Sequence, residues 1–418
     1  MDQPRQPEGM TAGGEYTFRR FRESQVELRG SSWPALTWEE RSWDAPPDPA
    51  ASRRSRLTAR GPYEAAVVPG IADLDPQVSP HLLALTEEAT MEMVRFDAEM
   101  GSGTAPFAEL LLRTESASSS EIENLTAGAR RIALARLGGT GSVNATLIAS
   151  NVRAVLAAIE LSDDLSVENI AAMHRTLMEA GAPEIAGRYR QEQVWIRGNS
   201  PHTAEFVPPH HEHLAESMDD LSAFMARDDV PALLQAAVAH AQFETIHPFA
   251  DGNGRTGRAI VSALLRAKGV TRNVTVPVSS GLLTDTQAYF DALGAYRDGD
   301  VEPIGELFAV AALRAVDNGR ALTEDLKGIR RNWDGLVPGA GSAHKVVDLL
   351  LAEPAVTAEM VSEYAGVSVA TAYRSVQRLQ DAGIIAASGK VGGVSVWVAP
   401  DVLGALDAFA SRAGRRRR

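Results

Sequence analysis

HPFADGNGRTGR, His247 to Arg258, is the stretch on which the reading of this 418-residue chain turns. It sets a histidine, a carboxylate, two flexible glycines, an amide and two arginines within about three helical turns, where a loop leads into a helix. Gly252 and Gly254 let successive backbone N–H groups converge on an anion, and the new helix adds its positive N-terminal dipole. Arg255 and Arg258 lie three apart, so on that helix both guanidinium groups face one side and grip different phosphates. Asp251 offers a hard oxygen ligand for a Mg ion bridging those phosphates. His247 has a free pKa near neutrality, which makes it the candidate general base.

Gly252, Gly254 and Gly257 also spell the GxGxxG dinucleotide fingerprint, which requires a strand before it. The preceding residues, Leu233 to Thr245, read as helix, so a doubly wound nucleotide fold is set aside. No GxxxxGK[ST] loop occurs, which excludes an ordinary P-loop ATPase.

Outward from the loop the pattern is helical. Helices are expected over Pro231 to Ile246 and Gly254 to Ala267, over His213 to Arg227, and upstream over Asp75 to Met100, Ser118 to Leu137 and Val143 to Ile159. Between Gly187 and Pro209, the β-prone run Val194, Trp195, Ile196 is followed by turn residues and by Phe206 and Val207, which predicts a hairpin. His210, His211 and His213 raise the question of a metal, but their spacing is not a helical i, i+4 pair. From His344 to Pro400, three short helices and two β-prone segments follow the order of a winged helix-turn-helix. Residues 1–60, with isolated Trp33, Trp38 and Trp43, lack periodicity and read as extended or partly ordered.

Composition bounds the rest. A hydrophobic content of 44% with 23% charged residues is that of a globular protein, and no apolar stretch approaching the roughly 18 residues of a membrane span is expected. The first ten residues lack both a basic start and an apolar run, so no secretory leader is expected, and no cysteine is present, so thiol chemistry is excluded and a cytoplasmic location is expected. A net charge of -13 disfavours wholesale binding to nucleic acid. From Gly341 onward nine Lys or Arg face seven Asp or Glu, and the run Arg415 to Arg418 reads as a solvated tail.

His247 to Arg258 fits HPFx[DE]GNGRxxR at every defined position, and the chain thereby resembles the Fic family. The resemblance implies a mainly α fold, a Fic helical bundle with a β-hairpin flap, to which the winged helix-turn-helix is added. The implied divisions are an N-terminal segment 1–60, a helical Fic N-terminal domain 61–160, a catalytic core 161–335, the winged region 341–400 and a basic tail 401–418. It also implies transfer of AMP from ATP, with Mg, to a Tyr, Thr or Ser hydroxyl. His247 would deprotonate that hydroxyl, Phe249 anchor the loop, Asp251 hold Mg and Asn253 meet the α-phosphate. Gly252, Gly254 and Gly257 would complete the nucleotide loop, Arg255 would bind the β-phosphate and Arg258 the γ-phosphate. Tyr289 and Arg297 would lie near the adenine, in a helix where Phe290 replaces a frequent second tyrosine. The flap residues Val194, Trp195 and Ile196 would dock a target segment by strand addition, with GRYR at Gly187 to Arg190 adding to the likeness.

Ser119, Glu123 and Asn124 match [ST]xxxE[GN], the pattern of the inhibitory helix in autoinhibited Fic proteins. The resemblance implies that Glu123 restrains Arg258. The expected partners are a protein substrate, including the chain itself, and a second copy of the chain, with DNA a candidate for the winged region and a membrane excluded. Two competing readings use the same residues: removal of AMP by hydrolysis with Glu123 orienting water, and a nucleotide-sensing, DNA-binding regulator reading DNA through Arg374, Gln377, Arg378 and Gln380. Retention of His247 and Arg258 favours an enzyme.

Overall fold

Every residue from Leu233 to Ile246 is buried, which places helix α7 (Ala232–Ile246) at the centre of the molecule. A computed structural model describes residues 33–43, 61–101, 105–139, 141–337 and 341–414. A helix buried on all sides must satisfy every polar group it carries. Gln235 Nε2 accordingly donates to the Phe224, Met225 and Arg227 carbonyls, and so closes the end of α6 (Leu214–Ala226). Gln242 donates to the Pro69 carbonyl and accepts from the Tyr296 hydroxyl.

Around α7 lie α1 (Pro80–Glu99), α2 (Ala105–Ile122), α3 (Ala129–Arg136), α4 (Val143–Glu160), α5 (Val167–Met178), α8 (Asn253–Ala267), α9 (Val278–Leu282), α10 (Thr286–Arg297) and the 35-residue α11 (Glu302–Leu336). α1 starts where Ser79 accepts from Leu82 N and Pro80 takes the first helical position. Its stripe Leu82, Ala89, Met93 and Phe96 is buried, as its periodicity predicts. The single helix expected over Ser118 to Leu137 is instead two. Asn124 adopts the left-handed region at φ 61, and the chain turns before α3 begins. Among the described helices Val143–Glu160 is long and apolar enough to cross a bilayer, contrary to the expectation of no such stretch. It packs against α2, α5 and α8, and half of it is buried, as befits a core helix.

Strands β1 (Thr37–Arg41) and β2 (Tyr63–Val67) pair antiparallel, with Glu39 opposite Ala65. TWEER carries no alternating apolar signal, so β1 is invisible in the sequence. Residues 1–32 and 44–60 of the expected N-terminal segment lie outside the described residues. The expected hairpin narrows to one antiparallel bridge, Ile196 to Phe206, around a 3-10 turn at Pro201–Thr203. Ala66 N donates to the Val207 carbonyl at 3.0 Å, which joins β2 to the returning arm.

The C-terminal region runs α12 (Ser342–Ala352), β3 (Ala355–Thr357), α13 (Ala358–Ala365), α14 (Val369–Asp381), β4 (Ala386–Val391) and β5 (Val394–Val398), with an antiparallel sheet in the order β3-β5-β4. The tail expected from residue 401 is corrected by α15 (Pro400–Gly414), whose Val402, Leu403, Ala405 and Phe409 are buried. Arg415 to Arg418 lie outside the described residues.

Candidate functional site

His247 ends α7 in the left-handed region, at φ 51, with its N–H on the Phe243 carbonyl at 2.9 Å. That conformation is costly for a histidine and persists only when its surroundings fix it. Arg190 supplies the fixing. Its Nε donates to the His247 carbonyl at 2.9 Å, its Nη2 reaches the Pro209 and Ile246 carbonyls, and its own N–H bonds Pro248. Phe249 is fully buried and stacks on His174 with ring centroids 3.7 Å apart and planes 3° from parallel. Gly187 N donates to His174 Nδ1 at 2.9 Å, so the proton sits on Nε2, which donates to the Asp251 carbonyl at 2.9 Å. Burial first, and the nearby Arg255 charge, lower the His174 pKa to about 4, which keeps this tautomer neutral.

Gly252 turns the chain at φ 79 and starts α8, where a side chain would lie 2.9 Å from Met178 Sδ. Asn253 is committed to the loop: Oδ1 accepts from Phe249 N at 2.9 Å and Nδ2 donates to Phe249 O at 2.8 Å. Its side chain therefore shapes the loop. Gly257 turns toward α7, with Phe243, Glu244 and His240 each about 3 Å from the position of a Cβ. It is a packing glycine, with no room for a side chain.

The two arginines are buried, and each leaves a donor open. Arg258 Nε donates to Ser119 Oγ at 2.9 Å, and its Nη2 donates to the Ser119 carbonyl at 2.7 Å and to Glu123 Oε1 at 2.9 Å. Arg258 Nη1 and Arg255 Nη1 are buried without a partner. Burial opposes the Arg258 charge, but Glu123, Tyr289 and Glu244 raise its pKa above the usual value. Glu123 Oε1 lies 1.9 Å from where a Cβ of Gly254 would stand, so its carboxylate sits on the first turn of α8. An anion thus occupies the positive end of that helix. Asn124 contributes the turn that ends α2, through its N–H to the Glu121 carbonyl.

Asp251 is 69% exposed, with Oδ1 accepting from Gly252 N at 2.6 Å. No cluster of three or more metal-type ligands occurs among the described residues. One open carboxylate suits a Mg ion that takes its other ligands from phosphate and water. His210, His211 and His213 are not such a cluster, since His213 Nε2 pairs with Glu39 and His210 Nδ1 with Glu212.

The residues expected at the adenine, Tyr289 and Arg297, both contact neighbouring side chains. Tyr289 is buried with its hydroxyl 2.8 Å from His240 Nε2. Arg297 lies 3.8 Å over the Phe206 ring and reaches the Glu244 carbonyl. Val194, Trp195 and Ile196 are half-buried, and Trp195 meets Trp43 edge-on at 5.7 Å.

Residues 164–265 match the model of the Fic/DOC family. The chain is 30% identical over 163 residues to the protein adenylyltransferase Fic of Nematostella vectensis, covering 38% of this chain and 35% of that protein. It is 33% identical over 143 residues to the protein adenylyltransferase fic-1 of Caenorhabditis briggsae, covering 34% and 26%. The chain therefore spans about a third or less of the length of these relatives. A solved Fic family protein from Desulfovibrio desulfuricans aligns over 77% of this chain and 97% of its own, at 20% identity and a TM-score of 0.49.

Proposed function

We infer that this chain, which carries a Fic/DOC domain over residues 164–265, transfers AMP from ATP to a Tyr, Thr or Ser hydroxyl of a protein, itself included, and that Glu123 restrains the reaction. The relatives' names supply the reaction class. The observation that carries the restrained form is the Glu123 carboxylate, seated on the first turn of α8 and bonded to Arg258.

The triphosphate would lie along the start of α8, where backbone N–H groups and the open donors of Arg255 and Arg258 face anionic oxygen. Asp251 would hold a Mg ion, which when bound neutralises charge on the departing pyrophosphate. His247, neutral because burial, Arg190 and Arg297 lower its pKa to about 3, accepts the proton of the target hydroxyl. The hydroxyl oxygen then bonds the α-phosphorus as the bond to pyrophosphate breaks. Glu123 competes for Arg258 with the terminal phosphate, and a triphosphate seated without that contact presents its α-phosphorus out of line. Misplacement of this kind costs about a hundredfold in rate.

Self-labelling with ATP carrying the label on its α-phosphate tests the reading. Glu123→Gly is expected to raise labelling by about a hundredfold. Adding His247→Ala to it is expected to lower labelling by two to four orders of magnitude, with ATP binding retained. Equal labelling of wild type and Glu123→Gly would remove the restraint, and undiminished labelling without His247 would remove the base.

A further inference from the structure

We propose that Glu244 is a positioning residue for His247, its buried carboxylate holding the imidazole with Nδ1 protonated inward and Nε2 outward toward the target hydroxyl. The proposal rests on the adenylyl-transfer reading and assigns a role to a residue outside the signature.

The central helix α7 buries five polar side chains near its active end and middle: Gln235, His240, Gln242, Glu244 and Thr245. Four of them have hydrogen-bonding partners on hand, in carbonyls or in the hydroxyls of Tyr289 and Tyr296. Gln235 Oε1 and His240 Nδ1 are also buried without a partner, but Glu244 Oε1, buried likewise, belongs to a carboxylate. A buried carboxylate without a donor is among the costlier groups a core can hold, and its presence needs a reason. His247 Nδ1, one turn further on and also without a partner, lies 3.9 Å from Glu244 Oε2. The unpartnered imidazole nitrogen thus faces the carboxylate. At that distance they are not yet hydrogen-bonded, and catalytic hydrogen bonds commonly close only when substrate is bound.

The space is made for it from the opposite helix. A Cβ at Gly257 would lie 3.1 Å from Glu244 Oε1, so α8 is bare where the carboxylate stands. The charged and titratable groups around Glu244 are Arg258 on α8, Arg297 and Tyr289 on α10, Glu123 after α2, and His240 on α7 itself. Burial raises the Glu244 pKa to about 7, with Glu123 adding to the rise and Arg258 and Arg297 opposing it. Burial first, then Arg190 and Arg297, depress the basicity of His247, and an ionised carboxylate beside the imidazole would oppose them. When Nε2 takes the hydroxyl proton, the imidazolium directs its Nδ1–H at the carboxylate. Glu244 takes no proton in the step. The O–H bond breaks to Nε2, oxygen bonds phosphorus and pyrophosphate leaves.

The test uses full-length chain carrying Glu123→Gly as parent, with Glu244→Gln and Glu244→Asp added singly, and labelled ATP as probe. Glu244→Gln is expected to lower the labelling rate at saturating ATP by about a hundredfold, while ATP affinity by calorimetry stays within about twofold of the parent and the melting temperature does not fall. The parent's rate is expected to drop as pH falls through about 7, where Glu244 gains its proton, and Glu244→Gln is expected to lack that limb. Glu244→Asp, which keeps the charge, is expected to recover part of the rate and the limb. A Glu244→Gln enzyme with the parent's rate and pH profile would overturn the proposal. So would a loss of rate matched by losses in ATP affinity and melting temperature, which would make Glu244 structural. A parent that labels nothing would overturn the adenylyl-transfer reading itself, and this proposal with it.

Discussion

A phenyl ring in place of the His174 imidazole keeps the stack on Phe249 and loses both hydrogen bonds, one to Gly187 and one to the Asp251 carbonyl. His174→Phe is therefore expected to free the loop between Phe249 and Gly252 and to cut labelling by about a hundredfold, since small displacements of the reacting groups cost that much. Two buried partners left unmet should also lower stability by about 2 to 4 kcal/mol. Wild-type labelling in this variant would show that the loop holds its shape without the clamp. The loop's own chemistry was legible because its residue types sit side by side in HPFADGNGRTGR. His174 and Arg190 were not legible as its clamps. They lie 77 and 57 residues from the atoms they hold, and only the packing of α5 and the Gly187 to Pro209 segment on the loop brings them there. Asn253 shows the opposite limit: its side chain bonds the Phe249 backbone within the loop, a contact that sequence spacing does not reveal.

Helix α2 is gripped from two sides. Toward the loop, Ser119 and Glu123 meet Arg258, while on the far side Arg113 pairs with Glu353 at 2.5 Å, with Arg136 joining that carboxylate at 2.9 Å. Glu353 caps the end of α12, so the C-terminal region is bonded to the back of the helix that carries the restraint. Asp407 on α15 adds to this by accepting from Ala129 N at the start of α3. The Arg113 guanidinium is only 7% exposed, and breaking a buried pair of this kind costs about 3 kcal/mol or more. Glu353→Gln is accordingly expected to lower the melting temperature by several degrees and to raise labelling toward the Glu123→Gly level. If the melting point falls and labelling stays at the wild-type level, the C-terminal elements are scaffold for the bundle and do not bear on the restraint. Sequence periodicity found the three helices and the last two strands of this region in order, but not the short β3 between the first two helices. It missed α15, because the closing arginine run drew attention to charge and away from the apolar stripe Val402, Ala405 and Phe409 just before it.

For the whole molecule, the buried titratable groups set how stability depends on pH, and they pull in two directions. Burial first lowers His240 and His247 to about 3 and His174 to about 4, from the ordinary 6.5 of a histidine. In the unfolded chain these histidines bind protons that the folded chain refuses. Their contribution is therefore present above about pH 6.5 and is lost as pH falls toward 3 to 4. Glu115, bonded by Ser279, and Glu244 behave oppositely: burial raises both from 4.5 to about 7, so the folded chain holds protons that the unfolded chain has released. Their favourable contribution is present below about pH 4.5 and fades as pH rises through 7. At about pH 5.5 three histidines outweigh two carboxyls, so stability climbs with pH by roughly one proton's worth, about 1.4 kcal/mol per pH unit. Near pH 7 the histidine term is nearly complete and the carboxyl term is still being lost, so the slope reverses and is shallow. Melting temperature measured from pH 5 to 9 is expected to peak near pH 6.5 to 7, with a steep acid side and a gentle alkaline decline. Glu115→Gln is expected to flatten part of that decline, because its neutral amide has no proton to lose. A profile that rises steadily to pH 9 would mean that neither carboxyl carries a raised pKa in the folded chain, and it would also remove the acid limb expected of Glu244.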